Sequence, residues 1–563
     1  MAKKITSLLL VLLMALSLAA CSTGAPTEAP ATDAPAAETP TDGTDAPAAD
    51  GGAESAYADK LTISMSMLDA EKSGVSAKDQ WLCEKFNFEW DLIPVTWGDW
   101  NEKVRAWIAG DDLPDILWWD MKAGNTSEFR MWAEAGAFRE IPQDMSAWPE
   151  LEALLERAWS DEKFLTVNGK LYGWPCLRAN PEWYDDACFN QFVYRRDWAK
   201  ALGLYQEGDI YTWDEWVALN KAFVEQDPGG NGAGKTIGMG TELFYFPNAF
   251  GIYQTSAEYG YGAFSPKDGE YVWTAARPET LEGLMIAKDL YDQGIIWPDN
   301  PLGQTPDDTY KAGLMGSVFN NFDVGRVHSM RKALKENFPD IDENEAGALA
   351  FVIGPDGTMW CKQSQCYWGA VVMSANIGEA KMTRWLDMLD WMLSEEGTYF
   401  RAYGIEGTDW EYDENGEVKC LWPESTLLPG TQQSPYPDNS GSWFNWYAAG
   451  ISNEQAPNVT YPEQYVEDTN YKYEFLRDNG FMRTFDYESS YLSAENKNKS
   501  GNFTTEVSDK MIELLTTASA EELPTLWNEW IASMEPKVQP VLDELNSMIE
   551  EIPTESEPKV YTK

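Results

Sequence analysis

Histidine and basic residues are scarce in this chain of 563 residues. The single histidine, His328, removes most Ser-His-Asp, Cys-His and multi-histidine metal sites, so we expect it to be structural. Lysine and arginine number 42 against 92 acidic residues, which gives a formal net charge of -50. Nucleic acids and anionic membrane surfaces need a basic face, so this charge excludes both as partners of the folded body.

Long apolar runs are absent except near the N-terminus. Two lysines precede an apolar stretch at residues 8–18, which is shorter than the roughly 20 residues that span a bilayer. Small residues then lead to Cys21, so residues 1–20 have the three parts of a signal peptide. Residues 18–21 resemble the bacterial lipoprotein box, which implies that Cys21 becomes the lipidated first residue of the mature protein. We expect no other contact with the membrane.

Aromatic residues, lysine and arginine are missing from residues 22–56, which consist mainly of Ala, Pro, Thr, Asp, Glu and Gly. A segment of this composition has no apolar surface to bury. We therefore expect residues 21–56 to form the lipidated cysteine and a disordered stalk.

Cysteine is also scarce, with seven residues that leave six after the expected lipidation. Disulfides are permitted in an exported chain, but the sequence leaves their pairing open. Cys83 and Cys420 are equally compatible with buried free thiols. The candidate pairs are those closest in sequence: Cys176 with Cys188, and Cys361 with Cys366.

Strand and helix patterns alternate at the start of the folded body, where about 500 residues suffice for two large lobes. Residues 61–67 alternate apolar and polar side chains, and residues 86–95 form a second apolar stretch. Asp99 and Glu102 have the spacing of a capping box before a helix that ends at Gly110. Residues 115–119 then read as a third strand. This order predicts a mostly parallel α/β sheet.

Further helices are predicted along the chain. Thr212 and Glu215 form a second capping box, and Pro278 begins a helix. The apolar face at residues 385–392 indicates a helix that ends near Gly397. The stretch at residues 523–552 also has a helical pattern.

The glycine-rich stretch at residues 229–236 matches the P-loop consensus in spacing. A phosphate site of this kind needs a buried strand before the loop and a helix that begins at its lysine, and neither is predicted here. We therefore reject a nucleotide-binding role.

Several short stretches resemble the family 1 extracellular solute-binding proteins, in particular the lipoproteins of Gram-positive bacteria that serve sugar importers. They occur in the order of that family across roughly residues 57–420, at residues 100–104, 110–116, 194–198, 202–204, 212–215, 386–391, 395–397 and 403–407. The resemblance implies an α/β fold of the type II periplasmic-binding-protein kind, with two lobes and a ligand cleft between them. The first lobe would comprise residues 57–178 and about 345–420, and the second residues 179–344 and about 421–563.

The resemblance also implies a function. A lipid-anchored monomer on the outer face of the cytoplasmic membrane would capture an oligosaccharide and deliver it to the permease of an ABC-type importer, with no catalysis of its own. The alternatives are an extracellular carbohydrate-active enzyme and a polysaccharide-binding adhesin. The sequence leaves the identity and length of the sugar open.

One loop resembles a calcium-holding loop found in some members of the family. Asp227 and Asn231 match it, but Gly229 stands where a second carboxylate is expected, and Thr236 replaces another acidic residue. Calcium needs six or more oxygen ligands. We therefore expect a plain glycine-rich turn and no cofactor, with calcium as the alternative.

Aromatic residues are abundant, with 27 Trp and 26 Tyr. A sugar ring stacks its apolar face on indole or phenol, while polar neighbours bind its hydroxyls. Because open α/β sheets bind ligands at the carboxyl ends of their strands, we expect the site there, with interlobe packing as the alternative for each residue. At most one of two adjacent tryptophans should face the ligand. The candidates are Asp69, Trp97, Trp118, Trp119, Asp120, Trp174, Arg178, Trp183, Tyr184, Asn320, Asn321, Asp323, Trp368 and Glu406.

Overall fold

The computed structural model describes residues 57–68, 70, 76–96, 98–121, 125–157, 165–177, 191–241, 246, 264–298, 306–320, 324–355, 357, 360–362, 367–436, 456, 458–479, 481–483, 491–550 and 552. The predicted signal peptide, Cys21 and the stalk lie outside these residues. None of the helices within the described residues is long and apolar enough to cross a membrane.

The strands are β1 (Leu61–Leu68), β2 (Phe88–Val95), β3 (Ile116–Asp120), β4 (Thr166–Val167), β5 (Lys170–Leu171), β6 (Gly173–Leu177), β7 (Gln191–Tyr194), β8 (Ile210–Tyr211), β9 (Ile237–Gly240), β10 (Phe264–Lys267), β11 (Glu270–Trp273), β12 (Met315–Asn320), β13 (Ala348–Val352), β14 (Trp360–Lys362), β15 (Tyr367–Met373), β16 (Trp410–Tyr412), β17 (Val418–Cys420) and β18 (Phe481–Arg483).

The helices are α1 (Ala77–Lys85), α2 (Trp100–Gly110), α3 (Asn125–Glu134), α4 (Pro149–Arg157), α5 (Arg196–Ala201), α6 (Trp213–Gln226), α7 (Pro278–Asp292), α8 (Asp307–Lys311), α9 (Val324–Asn337), α10 (Glu343–Ala346), α11 (Glu379–Leu393), α12 (Glu395–Tyr403), α13 (Glu463–Asn479), α14 (Ala494–Thr517) and α15 (Leu523–Ser547).

The first large sheet has the strand order β2-β1-β3-β15-β6. Strands β1, β2 and β3 are parallel, and β15 runs antiparallel to both β3 and β6. The alternation in β1 follows from its surroundings, because Ile63, Met65 and Met67 are buried in the core. On the opposite side, Ser64 is satisfied by Asp115, whose Oδ2 accepts hydrogen bonds from the Ser64 N–H at 2.8 Å and from its Oγ at 2.9 Å. The predicted sheet of mainly parallel strands is thus confirmed for β1 to β3.

The second large sheet has the order β8-β13-β7-β12-β9, with β12 parallel to β9 and antiparallel to β7. Helix α6 packs closely on it, because a Cβ at Gly316 would lie 2.1 Å from Phe223 Cδ2. The buried Ser317 Oγ donates to Asn220 Oδ1 at 2.7 Å, which links β12 to the same helix. Strand β13 belongs to this sheet, so the chain returns to the first sheet between Val352 and Tyr367.

Each large sheet has its own buried core. The first core joins β1, β3 and β15 to apolar residues of α11 such as Trp385 and Leu389. The second core joins β7 and α6 to the C-terminal helices α14 and α15. Helix α15 also contacts the β10–β11 hairpin, where the Tyr271 N–H donates to Asn546 Oδ1 at 2.7 Å.

Helix ends show which local predictions were correct. The capping box of Thr212 and Glu215 is confirmed, and Pro278 begins α7 as predicted. The capping box at Asp99 is wrong, because Asp99 makes no cap hydrogen bond and its Oδ1 accepts instead from the Thr96 N–H at 2.7 Å. The helix expected to end near Gly397 ends at Leu393, because Ser394 caps the next helix.

Three cysteines are free thiols in the described residues, namely Cys83, Cys176 and Cys420. The candidate disulfide between Cys176 and Cys188 is therefore not formed, and Cys188 lies outside the described residues. Burial raises the pKa of all three thiols, to about 12 for Cys83. This keeps them in the unreactive protonated form. The candidate pair of Cys361 and Cys366 is not tested, because Cys366 also lies outside the described residues.

Candidate functional site

Four strands of the first sheet end at the same edge. β1, β2 and β3 are parallel, β6 runs in the same direction, and the antiparallel β15 begins at that edge. The pairing of Asp120 with Gly369 marks this edge. In the chain, Asp69 comes directly after β1 and Arg178 directly after β6, but both lie outside the described residues.

The second sheet has an equivalent edge, where β8, β9, β12 and β13 end and β7 begins. Residues 315–320 form strand β12, which ends at this edge. The backbone of Asn320 pairs with Gln191 at this edge. Asn321 and Asp323 follow in the chain, outside the described residues.

Among the described strands, two chain segments connect one of these edges to the other. One joins the end of β6 at Leu177 to the start of β7 at Gln191, and the second joins the end of β13 at Val352 to the start of β15 at Tyr367. Fully extended chain covers at most about 3.5 Å per residue, so each connection spans no more than roughly 50 Å. The chain therefore joins the two sheets at their carboxyl ends. Open α/β sheets bind ligands at these ends.

Trp118 lies against the antiparallel strand next to this edge. Its indole covers Gly369, where a Cβ would lie 1.9 Å from Trp118 Cε2. The ring also packs on Trp100, with ring centroids 4.7 Å apart, and the side chain is 4% exposed. Gly369 thus leaves room for the Trp118 indole beside Asp120, the residue with which Gly369 pairs in the sheet.

Trp119 and Trp174 are fully buried. The Trp119 Nε1–H donates to the backbone oxygen of Asn125 at 3.0 Å, and its ring packs edge-on against Trp132. Trp174 packs against Trp385, with centroids 6.2 Å apart. Both rings contribute to the first core in this structure, so a direct role in ligand binding stays a prediction for them.

The remaining candidates have different positions. Trp97, Trp183 and Tyr184 lie outside the described residues, and the backbone of Trp368 lies in β15 beside Gly369. Glu406 is exposed in the turn after α12, where it forms an isolated bridge with Trp410. It does not lie at a strand end of either large sheet.

Sequence reasoning missed most of the second edge. β8 and β9 also end there, and Thr241 lies buried directly after β9. Both strands are too short for a period-two pattern, with two and four residues. The sequence signal for β9 is its place in the chain, because a strand is expected after a helix such as α6, whose capping box is clear.

His328 lies in α9 and packs against the rings of Tyr461 and Tyr465, with centroids 5.1 and 6.0 Å away. Burial, with a smaller contribution from Lys332, lowers the pKa of His328 to about 4. The imidazole is therefore neutral at physiological pH and packs as a structural side chain. It provides no general base that is poised near pH 7.

The described residues offer no obvious metal site. They contain no group of three or more His, Cys, Asp or Glu side chains that could hold an ion. At the loop that resembles a calcium loop, the Asp227 carboxylate accepts hydrogen bonds from the Gly232 N–H and the Thr236 hydroxyl. Asp227 is the one acidic side chain in residues 227–236, so this loop supplies few of the six or more oxygen ligands that calcium needs.

Known proteins with similar sequences come from Bacillus subtilis (strain 168). Lipoprotein LipO is 26% identical over 375 residues, which cover 63% of this chain and 68% of that protein. The polygalacturonan/rhamnogalacturonan-binding protein YtcQ is 25% identical over 343 residues, which cover 58% of this chain and 62% of that protein. The alignment thus includes less than two thirds of the length of YtcQ.

The fold resembles that of the Streptococcus pneumoniae ABC-transporter substrate-binding protein FusA, solved in complex with kestose. The TM-score is 0.63 at 16% identity, with 87% of this chain and 99% of that chain covered. This likeness confirms the predicted α/β fold of type II solute-binding proteins. The model of the bacterial extracellular solute-binding proteins matches residues 70–399, which is more than half of the chain. The chain belongs to this family of bacterial extracellular solute-binding proteins.

Proposed function

We propose that this protein captures an oligosaccharide between two lobes and delivers it to an ABC-type importer, while Cys21 anchors it by lipid at the outer face of the cytoplasmic membrane. The first lobe is built on the sheet of β1 to β3, and the second on the sheet of β7 to β9. The names of two similar proteins, the polygalacturonan/rhamnogalacturonan-binding YtcQ and the kestose-bound FusA, support a carbohydrate as ligand.

The observation that carries this proposal is the way in which the chain connects the two sheets. Both connections run from carboxyl edge to carboxyl edge. This supports a ligand space between the lobes that is lined by these edges. Rotation about these two connections, and about the chain that leads from α12 to the C-terminal helices, would open or close such a space without disturbing either core. A ligand that contacts both edges at once favours the closed form, because only that form supplies both sets of contacts.

The chemistry of the positions at these edges suits a sugar. Asp120 is half-buried at the end of β3, and Asn320 is the last residue of β12 on the other sheet. Carboxylates and amides bind sugar hydroxyls, while an indole such as that of Trp368 would stack on the apolar face of a pyranose. We propose that Asp69, Trp97 and Arg178 complete the first edge, and that Asn321 and Asp323 complete the second.

Thermal denaturation of the mature protein with neutral and uronic oligosaccharides tests the ligand class. A ligand at about 100 times its Kd stabilises the folded state by about 2.7 kcal/mol, which raises the melting temperature. Peptides serve as the comparison class. A rise with peptides and none with any carbohydrate would contradict the proposal, and release of reducing sugar on long incubation would instead indicate an enzyme.

Substitutions at the two edges test the site. Asp120→Asn and Trp368→Ala should each weaken the binding of a sugar identified by that screen. The first removes the negative charge and one of two acceptor oxygens, and the second removes a stacking surface. Loss of one charged hydrogen bond costs about 1.5–3 kcal/mol, or roughly 10- to 100-fold in Kd. Glu411→Gln, on the exposed β16–β17 hairpin, is the matched control and should bind normally. Normal binding by both edge variants would place the site elsewhere.

A further inference from the structure

The loop between α6 and β9, residues 227–236, is closed by hydrogen bonds from its own residues. Asp227 Oδ1 accepts from the Thr236 hydroxyl and from the Asn231 N–H, the latter at 3.0 Å. Asp227 Oδ2 accepts from the Gly232 N–H at 2.8 Å. Both carboxylate oxygens therefore accept hydrogen bonds from neutral protein donors of the same loop.

The side-chain nitrogen of Asn231 donates two hydrogen bonds in and next to this loop. Its Nδ2 donates to Thr236 Oγ1 at 3.0 Å and to the backbone oxygen of Gly313 at 3.1 Å. A backbone oxygen only accepts, so the group that faces it must be the NH2 of the amide. Calcium binds oxygen ligands, and the side-chain group that Asn231 presents to Thr236 and Gly313 is therefore of the wrong kind for the ion.

Gly229 has no room for a side chain. A Cβ there would lie 2.5 Å from Trp198 Cζ2 and 2.9 Å from Asn231 Nδ2. Trp198 is 4% exposed and is held between the guanidinium of Arg195, 4.1 Å above its ring, and Phe223. These neighbours limit the movement of the indole, so a carboxylate side chain at position 229 would clash with Trp198.

We infer that the Asp227 loop is a metal-free staple, in which the Thr236 hydroxyl and two backbone N–H groups take the structural role that a bound cation has in calcium-holding loops. The loop leads into β9, whose first residue donates from its N–H to the Leu314 oxygen at 2.9 Å, just before β12. It thus joins the amino ends of β9 and β12, opposite the edge proposed for ligand. The staple supports the second sheet and takes no part in ligand contact.

Calcium dependence tests the inference directly on the full mature protein. The protein is stripped with a chelator, and its melting temperature is measured with and without millimolar calcium, alongside Asp227→Asn. We expect the calcium response to be the same in the wild type and the variant, because the loop holds no ion in either. A rise in melting temperature that the wild type shows and Asp227→Asn lacks would overturn the inference.

Variants of Thr236 test the staple itself. Thr236→Val keeps the shape but removes the hydroxyl, so it should lower the melting temperature in calcium-free buffer by about 2–4 °C. Thr236→Ser keeps the hydroxyl and should melt close to the wild type. Thr516→Val, at an exposed hydroxyl that bonds only within its own helix, is the control and should change little. Equal melting of Thr236→Val and the wild type would show that the hydroxyl carries no structural role.

Discussion

Replacing Gly369 with alanine is the sharpest test of how the first carboxyl edge is packed. The added Cβ would lie 1.9 Å from Trp118 Cε2 and Nε1, and 2.1 Å from Cζ2. Carbon atoms that are not bonded prefer separations of about 3.5–4.0 Å, so the indole would have to withdraw by roughly 1.5 Å. Trp100 packs against the same ring at 4.7 Å and limits that movement.

The expected cost follows from this geometry. Overpacking a core by a single methyl group typically costs about 1–3 kcal/mol, and the restricted indole favours the upper part of that range. A loss of this size should lower the melting temperature by about 5 °C. Gly369 pairs with Asp120, so the displaced ring should also weaken the binding of any ligand that contacts the edge.

Gly501→Ala, at an exposed position inside α14, is the matched control, because the same methyl group there would meet no heavy atom within 4 Å. Calorimetry or thermal denaturation by circular dichroism compares the two variants with the wild type. We expect only Gly369→Ala to be destabilised. If both alanine variants melt with the wild type, the indole of Trp118 does not occupy the space over Gly369, and the packing described for this edge is wrong.

Two further predictions concern α9. The only imidazole resonance in the NMR spectrum should titrate with a pKa of about 4, because burial disfavours the charged form of His328. Between pH 6.5 and 4 the unfolded chain then binds more protons than the folded one, so the free energy of unfolding should decrease as the pH is lowered across that window. His328→Gln should reduce this decrease. Titration of His328 near pH 6.5 would contradict the prediction. Arg331 is fully buried and donates to the Gly347 oxygen at 3.0 Å and to Asp468 Oδ2 at 2.7 Å. Arg331→Met should lower the free energy of unfolding in urea by about 3–5 kcal/mol, and a loss below about 1 kcal/mol would show that these bonds contribute little.

Local elements were predicted well where their signals are contained within a few neighbouring residues. The alternation at residues 61–67 became β1, and the box at Thr212 and Glu215 caps α6 as expected. The same kind of signal was wrong at Asp99, because a competing acceptor role toward Thr96 uses the carboxylate. A capping pattern in sequence gives the residue types but not the partner that each side chain finally has.

The aromatic candidates show the corresponding limit for the site. Strand ends were found at β1, β2 and β3, and the alternation rule separated Trp118 from its neighbour Trp119. Only the packed structure showed that both rings are nearly or fully buried, the first over Gly369 and the second against Trp132. These partners are distant in sequence or carry no pattern of their own, so no local rule could identify them.

The sequence by itself determined the local and chemical properties of this protein: an acidic composition with a single histidine, alternating strand and helix patterns, and the motifs of its family. These are encoded in residue types at short spacing, where secondary-structure periodicity operates. The tertiary structure alone decided which strands share an edge, that the chain joins the two sheets at their carboxyl ends, and that Trp198 closes the position of Gly229 to any side chain. Each of those outcomes depends on contacts between residues far apart in the chain, whose partners are selected only when the whole core packs.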